Sequence, residues 1–294
     1  MKKNLRFLVV DIFYICVMVL PIVAGITLSV LTSPASEGIS ISGAMIYATI
    51  PMPVQDLLIT EAQINSWLVM ISIFGLCLYL THGLKTKNIL KRQHVAEWIV
   101  EKTNNLVVGS MGNYFKNFGP FIAAMLALSG FSSLLSLVGL YPPTSDLNVV
   151  SGWAILVFVL ITYYKSKAGP VQYVKSFADP ILLMPLNIIG EIATPISMAF
   201  RHYGNVLSGS VISVLVAAGL GGLSHILLGG FPGFLGKIPF LQIGIPAILS
   251  IYFDVFSGLL QAYIFAMLTM MYISGGFPMD EYMKRKNKKT QIRR

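Results

Sequence analysis

Charge is scarce in this sequence: Asp, Glu, Lys and Arg make up 11% of its 294 residues, against about 25% in an average soluble protein. A soluble single domain is excluded, because the missing charge would have to come from the surface that water covers. Disorder is excluded by the same shortage combined with a 55% hydrophobic content. Cysteine is nearly absent. Cys16 and Cys77 both fall inside apolar runs and supply neither a disulfide framework nor a metal-ligand cluster, so each reads as a small hydrophobe. The chain has no Walker loop, CxxC pair, HExxH or GxSxG, which removes the usual sequence signals of nucleotide, zinc and hydrolase sites. It also lacks a low-complexity domain and a convincing internal repeat.

What is present in their place is a series of long apolar runs. They span 7–31, 64–81, 118–140, 149–164, 181–218 and 245–273, and each is of the length expected for crossing a ~30 Å hydrocarbon core as a helix. The first follows three basic residues and is compatible with a signal peptide, but it exceeds the usual ~7–15-residue apolar stretch of one, so a retained span is expected. Asp11 near its inner end can reach the interface. The net charge of +9 follows the spans and gives no nucleic-acid signal. Of the 21 Lys and Arg, 19 fall in 1–6, 83–116, 165–175 and 284–294, all on one side of a six-span layout. The opposite loops contain only Lys237, so the positive-inside rule puts both termini in the cytoplasm. The basic tail 279–294 reads as a topology anchor, with anionic lipid as a further partner.

The run 181–218 is too long to stand upright, at roughly 57 Å as a helix. It must tilt or bend, with Pro185 and Pro195 as the places for a bend. Its polar residues are not scattered. At ~100° per residue, Asn187, Glu191, Thr194, Ser197, Arg201, Asn205 and Ser208 occupy one arc of about 120°. An intramembrane Arg costs at least ~2.5–3.5 kcal/mol on insertion scales, so this stripe should face protein or water. Glu191 and Arg201 lie nearly three turns apart, about 15 Å along the axis, which disfavours a direct pair. An arginine at that depth calls for a carboxylate on another helix or another chain, and Asp254 is the other deep acidic candidate. Asp254, Ser257 and Gln261 are spaced i, i+3, i+7 and share a face of the last helix. Ser210 points to the opposite side of its helix from Arg201. Two separate polar routes on one pair of helices suit an ion path made of two half-channels.

These residues resemble the a subunit of the membrane sector of F-type ATP synthases. The resemblance rests on Pro185 to Glu191, on Pro195 to Gly209 with Gly204-Asn205 following Arg201, on Leu260-Gln261-Ala262-Tyr263-Ile264-Phe265, and on the outer-loop stretch Pro143 to Val149. That stretch includes Asp146 and Asn148. The similarity covers roughly residues 62–275.

The resemblance implies an all-α polytopic protein of about six transmembrane helices, the last two long and tilted against a rotor ring. It implies a membrane domain over 62–278, preceded by an extra N-terminal segment, 1–61, and followed by the tail, 279–294. Arg201 is then the essential stator arginine, facing a ring of c subunits that each carry one carboxylate. Asn205 and Gln261 neighbour it, Glu191 and Asn187 line the half-channel to the cytoplasm, and Asp254 sits in the half-channel from outside. Other implied partners are b-type peripheral stalk subunits, the remaining subunits of the complex and membrane lipid. The resemblance implies no cofactor, with H+ as the translocated ion and Na+ as the alternative, and no catalytic chemistry in this chain. The implied location is a bacterial plasma membrane. Three positions depart from the commonest pattern of the family: Ser210 and Asp254 stand where other acidic or basic groups are usual, and His202 replaces an apolar residue beside Arg201. His202 is expected to be interfacial or in contact with solvent. The rival reading is a secondary transporter that binds an anionic solute at Arg201.

Overall fold

Six apolar helices account for most of the chain in the computed structural model, and each coincides with one of the runs above. The structure describes residues 2–32, 43–53, 55–86, 90–167, 169–177, 180–228, 244–245, 248–249, 251–279 and 282–283. The tail from 284 onward and most of 229–250 lie outside the described residues. Helix α1 covers Lys2–Thr32 and α2 covers Glu61–Thr81. Between them, β1 (Ile46–Ile50) and β2 (Leu57–Thr60) pair antiparallel. Helix α3 (Lys91–Met111) is followed by a 3-10 turn, Asn113–Phe118, leading into α4 (Gly119–Leu134). Then come α5 (Leu147–Ser166), the short α6 (Pro170–Phe177) and the very long α7 (Met184–Leu228). A π-helical segment, Ile251–Ser257, runs into α8 (Gly258–Gly275).

The hairpin and α3 are additions to the expected layout, which had loops at 32–63 and 83–116. They escape a hydropathy reading for different reasons: the hairpin strands are apolar but only five and four residues long, and in α3 polar and apolar residues offset each other. The helices long and apolar enough to cross a membrane number six among the described residues: α1, α2, the stretch Asn113–Val138 that contains α4, α5, α7 and the segment that ends in α8. Their surfaces carry exposed Leu20, Phe74, Ile155, Phe200 and Met271, as expected where lipid rather than water is the neighbour. The core lies between α3, α4, α5, α7 and α8, with Val107, Ile122, Val157, Met198, Phe265 and Met270 among its buried side chains.

Small residues let the helices approach closely. At Gly258, an added Cβ would meet the Ser133 Cβ at 2.6 Å, so α8 lies tight against α4. At Gly75, a Cβ would meet the Met18 backbone nitrogen at 2.7 Å, so α1 is docked on α2 backbone to backbone. The end of this pair that holds Asp11 is also tied. Arg92 Nη1 donates to Asp11 Oδ1 at 2.7 Å, and His82 Nδ1 lies 2.8 Å from the same oxygen. Asp11 therefore does more than reach the interface: it ties α1 to the start of α3. Gly75→Ala should lower the thermal midpoint of the solubilised protein, by an overpacking penalty of about 1–3 kcal/mol. Gly109→Ala, where nothing lies within 4 Å, should be neutral or slightly stabilising. Equal midpoints for the two variants in a thermal-shift assay would refute tight docking of α1.

Helix α7 exceeds the expected run, ending at Leu228 instead of near residue 218. Its 45 residues correspond to about 68 Å at 1.5 Å per residue. Pro185 falls in the first turn, where a missing N–H costs nothing, and Pro195 is accommodated within the continuous helix.

Candidate functional site

The rotation of α7 is set by a few buried residues. Met198, Ala199 and His202 are buried at 2%, 4% and 0% exposure, and Gly209 lies on the same side, where an added Cβ would meet the Phe253 ring at 3.0 Å. Arg201 precedes His202 by one residue, about 100° around the axis, and so turns outward. It is exposed, as are Ser197 one turn before it and Ser208 two turns after it. Among the described residues, Arg201 has no hydrogen-bond or ion-pair partner. The other members of the stripe lie closer to the packed side and are half-buried: Asn187, Glu191, Thr194 and Asn205. The polar stripe is thus the border between the helix's packed face and its open face.

Asn205 connects the two long helices. Its Nδ2 donates to Ser257 Oγ at 2.9 Å and reaches Gln261 Oε1 at 3.5 Å. Gln261 is buried at 4% exposure, and this contact reaches its carbonyl oxygen. Of the three residues expected on one face of the last helix, the structure thus brings Ser257 and Gln261 to Asn205. Asp254 is not part of it. The π-helical turns over Ile251–Ser257 change the angular step, so the i, i+3, i+7 spacing does not put Asp254 in the same place as the other two.

Asp254 instead lines a cavity of about 210 Å³ that it shares with Ser210, Tyr141, Ser133, Ser136 and Ser145. This brings Ser210, on the far side of α7 from Arg201, together with Asp254 in one polar recess. The recess reaches the outer-loop stretch through Tyr141 and Ser145. Tyr141 donates to the Ser145 carbonyl at 3.2 Å; burial, with Asp146 adding to it, pushes its phenol above the ordinary range, which keeps it a neutral donor. Ser133, Ser136, Tyr141 and Ser145 were not among the sequence candidates: the first two are hydroxyls within the apolar run 118–140 and the other two lie in the loop after it, and none carries a spacing signal toward Asp254.

On the other side of Arg201, Glu191 accepts from Lys165 Nζ at 2.8 and 2.7 Å and from the Tyr173 hydroxyl at 3.1 Å. Lys165 had been read only as a topology-setting charge. Tyr173 lies outside the spans, and burial together with the Glu191 carboxylate raises its phenol above the usual range. Asn187 Nδ2 donates to the Phe177 carbonyl at 3.1 Å. Thr194 and Ser208 hydrogen-bond to backbone carbonyls of their own helix, those of Gly190 and Asn205, and Ser210 does likewise to Leu207.

His202 departs from its expected position. It is fully buried, with Nε2 3.4 Å from Ser129 Oγ and its ring edge-on to Trp153 and Phe265, at centroid distances of 6.0 and 5.4 Å. The expectation of an interfacial histidine fails because the rotation that exposes Arg201 turns the next residue into the core. Asp146 caps α5, accepting from the Asn148 backbone N–H at 2.9 Å, and lies 3.5 Å from Thr60 Oγ1. Exposed Asn148 and half-buried Asp146 border a separate outer cavity of about 650 Å³ with Asp56, Gln63 and Trp153. The structure does not bring these two residues to Arg201. Among the described residues, no cluster of His, Cys, Asp and Glu could hold a metal ion.

Six apolar helices, a bare exposed arginine and two polar sites on either side of it define a polytopic helical membrane protein with ion-transport features. The sequence matches the family model described as ATP synthase A chain over residues 63–274. It is 33% identical to ATP synthase subunit a of Bacillus pumilus (strain SAFR-032) over 225 residues, covering 70% of this chain and 89% of that one. It is 31% identical to ATP synthase subunit a of Geotalea daltonii over 221 residues (73% and 86% covered). With ATP synthase subunit a of Legionella pneumophila (strain Paris), identity is 27% over 226 residues (76% and 89% covered). The chain belongs to the ATP synthase A chain family, and so to the non-catalytic, ion-transporting membrane part of that complex. Its helix α1 and β-hairpin precede the matched region.

Proposed function

We propose that this chain passes protons through two offset half-channels to and from the carboxylates of a c-subunit ring, and so couples ion flow to rotation and ATP synthesis. The observation that carries the reading is the exposed, partnerless Arg201 between the Asp254–Ser210 recess on one side and Glu191 on the other. A guanidinium stays charged at any working pH. It stabilises an ionised carboxylate passing in front of it, favours loss of that carboxylate's proton, and repels a proton that would run straight between the two recesses. Each proton must then ride the ring. Moving one charge through the potential supplies about 2.3 kcal/mol per 100 mV.

In this reading Asp254 and Ser210 belong to the outer half-channel, Glu191 and Asn187 to the cytoplasmic one, and α7 and α8 lie tilted along the rotor. A b-type stalk holds the subunit still. The membrane is a bacterial plasma membrane with both termini on the cytoplasmic side, and α1 is retained, consistent with its backbone-close packing on α2.

Thiol labelling tests the two routes. In a Cys16→Ser/Cys77→Ser background, a membrane-impermeant reagent should modify Ser210→Cys from the outside and Asn187→Cys from the cytoplasmic side. Ile155→Cys, on the exposed apolar face of α5, should stay unmodified. Labelling of Ser210→Cys only from the cytoplasmic side would overturn the assignment of the half-channels.

A further inference from the structure

Glu191 of α7 is held by two other elements at once. Lys165, in the last turn of α5, bridges both carboxylate oxygens at 2.8 and 2.7 Å, and Tyr173 of α6 donates to Oε1 at 3.1 Å. The Lys165 and Glu191 side chains keep 24% and 17% exposure, so the pair is neither sealed in the core nor free in solvent. Beside it, a recess of about 30 Å³ touches Lys165, Glu191 and Thr194, large enough for ordered water. An ammonium at the C-terminal end of α5 is favoured there by the helix dipole, and its four-carbon stem allows it to move.

We infer that Lys165 is a positioning residue of the cytoplasmic half-channel: through a movable ion pair it keeps the Glu191 carboxylate in place for the departing proton. This rests on the reading of Glu191 as the cytoplasmic exit. The pairing has a second consequence. Glu191 shares the stripe of α7 with Arg201, and a bare carboxylate there would compete with the rotor carboxylate for the guanidinium's field. Paired with Lys165, it does not. Arg201 is then the uncompensated charge of the stripe among the described residues. Tyr173 supplies a neutral hydrogen bond that orients the carboxylate without adding charge.

The experiment uses inverted vesicles carrying the whole complex and reads ATP-driven proton pumping per ATP hydrolysed, with the amount of subunit in the membrane as control. Lys165→Gln should lower pumping about tenfold, because a half-buried carboxylate is left without its counter-charge. Lys165→Arg should keep most of it, because the charge and its reach are retained. Glu191→Gln should lower pumping by a similar factor, leaving a residual rate on which a further loss can be read. If Lys165→Gln pumps like wild type while Glu191→Gln does not, the exit reading stands and the role of Lys165 is refuted. If Glu191→Gln pumps normally, the exit reading itself fails and takes this inference with it. Should Lys165→Gln prevent assembly, Lys165→Gln/Glu191→Gln is compared with Glu191→Gln alone. Equal pumping supports action through Glu191, and a further loss in the double variant overturns it.

Discussion

Arg201→Ala should abolish ATP-driven proton pumping by vesicles carrying the whole complex while leaving ATP hydrolysis in place. The expected loss is about 100-fold or more, the scale on which removing a charge-stabilising group from a dry site acts. The reason lies in the geometry. Met198, Ala199 and His202 fix the packed side of α7, and this leaves the guanidinium outside the fold with no described partner to satisfy it. The neighbouring Asn205 amide is already engaged with Ser257 and cannot take over a positive charge. Arg201→Lys should not restore pumping, since a compact, strongly hydrated ammonium does not reproduce a planar, always-charged guanidinium. An uncoupler added at the end of each trace separates a failure to pump from a leaky membrane. Undiminished pumping by Arg201→Ala would overturn the role of Arg201 as the gate between the two half-channels.

Asp254→Asn should reduce pumping about 100-fold, within the range over which one positioned proton-transfer group contributes. Asp254 is the acidic residue of the 210 Å³ recess, so its neutral isostere leaves serine and tyrosine hydroxyls alone to carry the step. Ser210→Ala should matter little by comparison, because its hydroxyl is engaged with its own helix at the Leu207 carbonyl. The shared recess makes a sharper expectation available. Ser210→Glu in the Asp254→Asn background returns a carboxylate to the same cavity from the opposite helix and should recover part of the pumping. No recovery, with normal amounts of subunit in the membrane, would mean that the recess is not the outer route or that Asp254 is required at its own position.

Much of this organisation is legible in the residues themselves, for identifiable reasons. Lipid exposure writes itself into hydropathy, so six spans could be placed, most of them within a few residues of their observed ends, although α7 runs on to Leu228. A stripe on one helix is a property of one helix, and the angular positions of Asn187, Glu191, Arg201 and Asn205 need only a constant step per residue. That step fails at Asp254, where π-helical turns interrupt it. Hydropathy likewise overlooks α3, whose apolar and polar residues offset each other, and the short hairpin before α2.

The sequence by itself determined the number of spans, the polar border of α7 and the family. Each of these follows from local composition, periodicity or motif order along one stretch of chain. Only the tertiary structure decided which groups meet. Lys165 and Glu191 are 26 residues apart and on different helices, Ser210 and Asp254 approach one cavity from opposite sides, and His202 is buried because three other helices close over the face next to Arg201. Those pairings depend on how helices rotate and cross, and rotation is set by the fit of side chains such as Met198 and of gaps such as Gly258, which no single stretch of sequence contains.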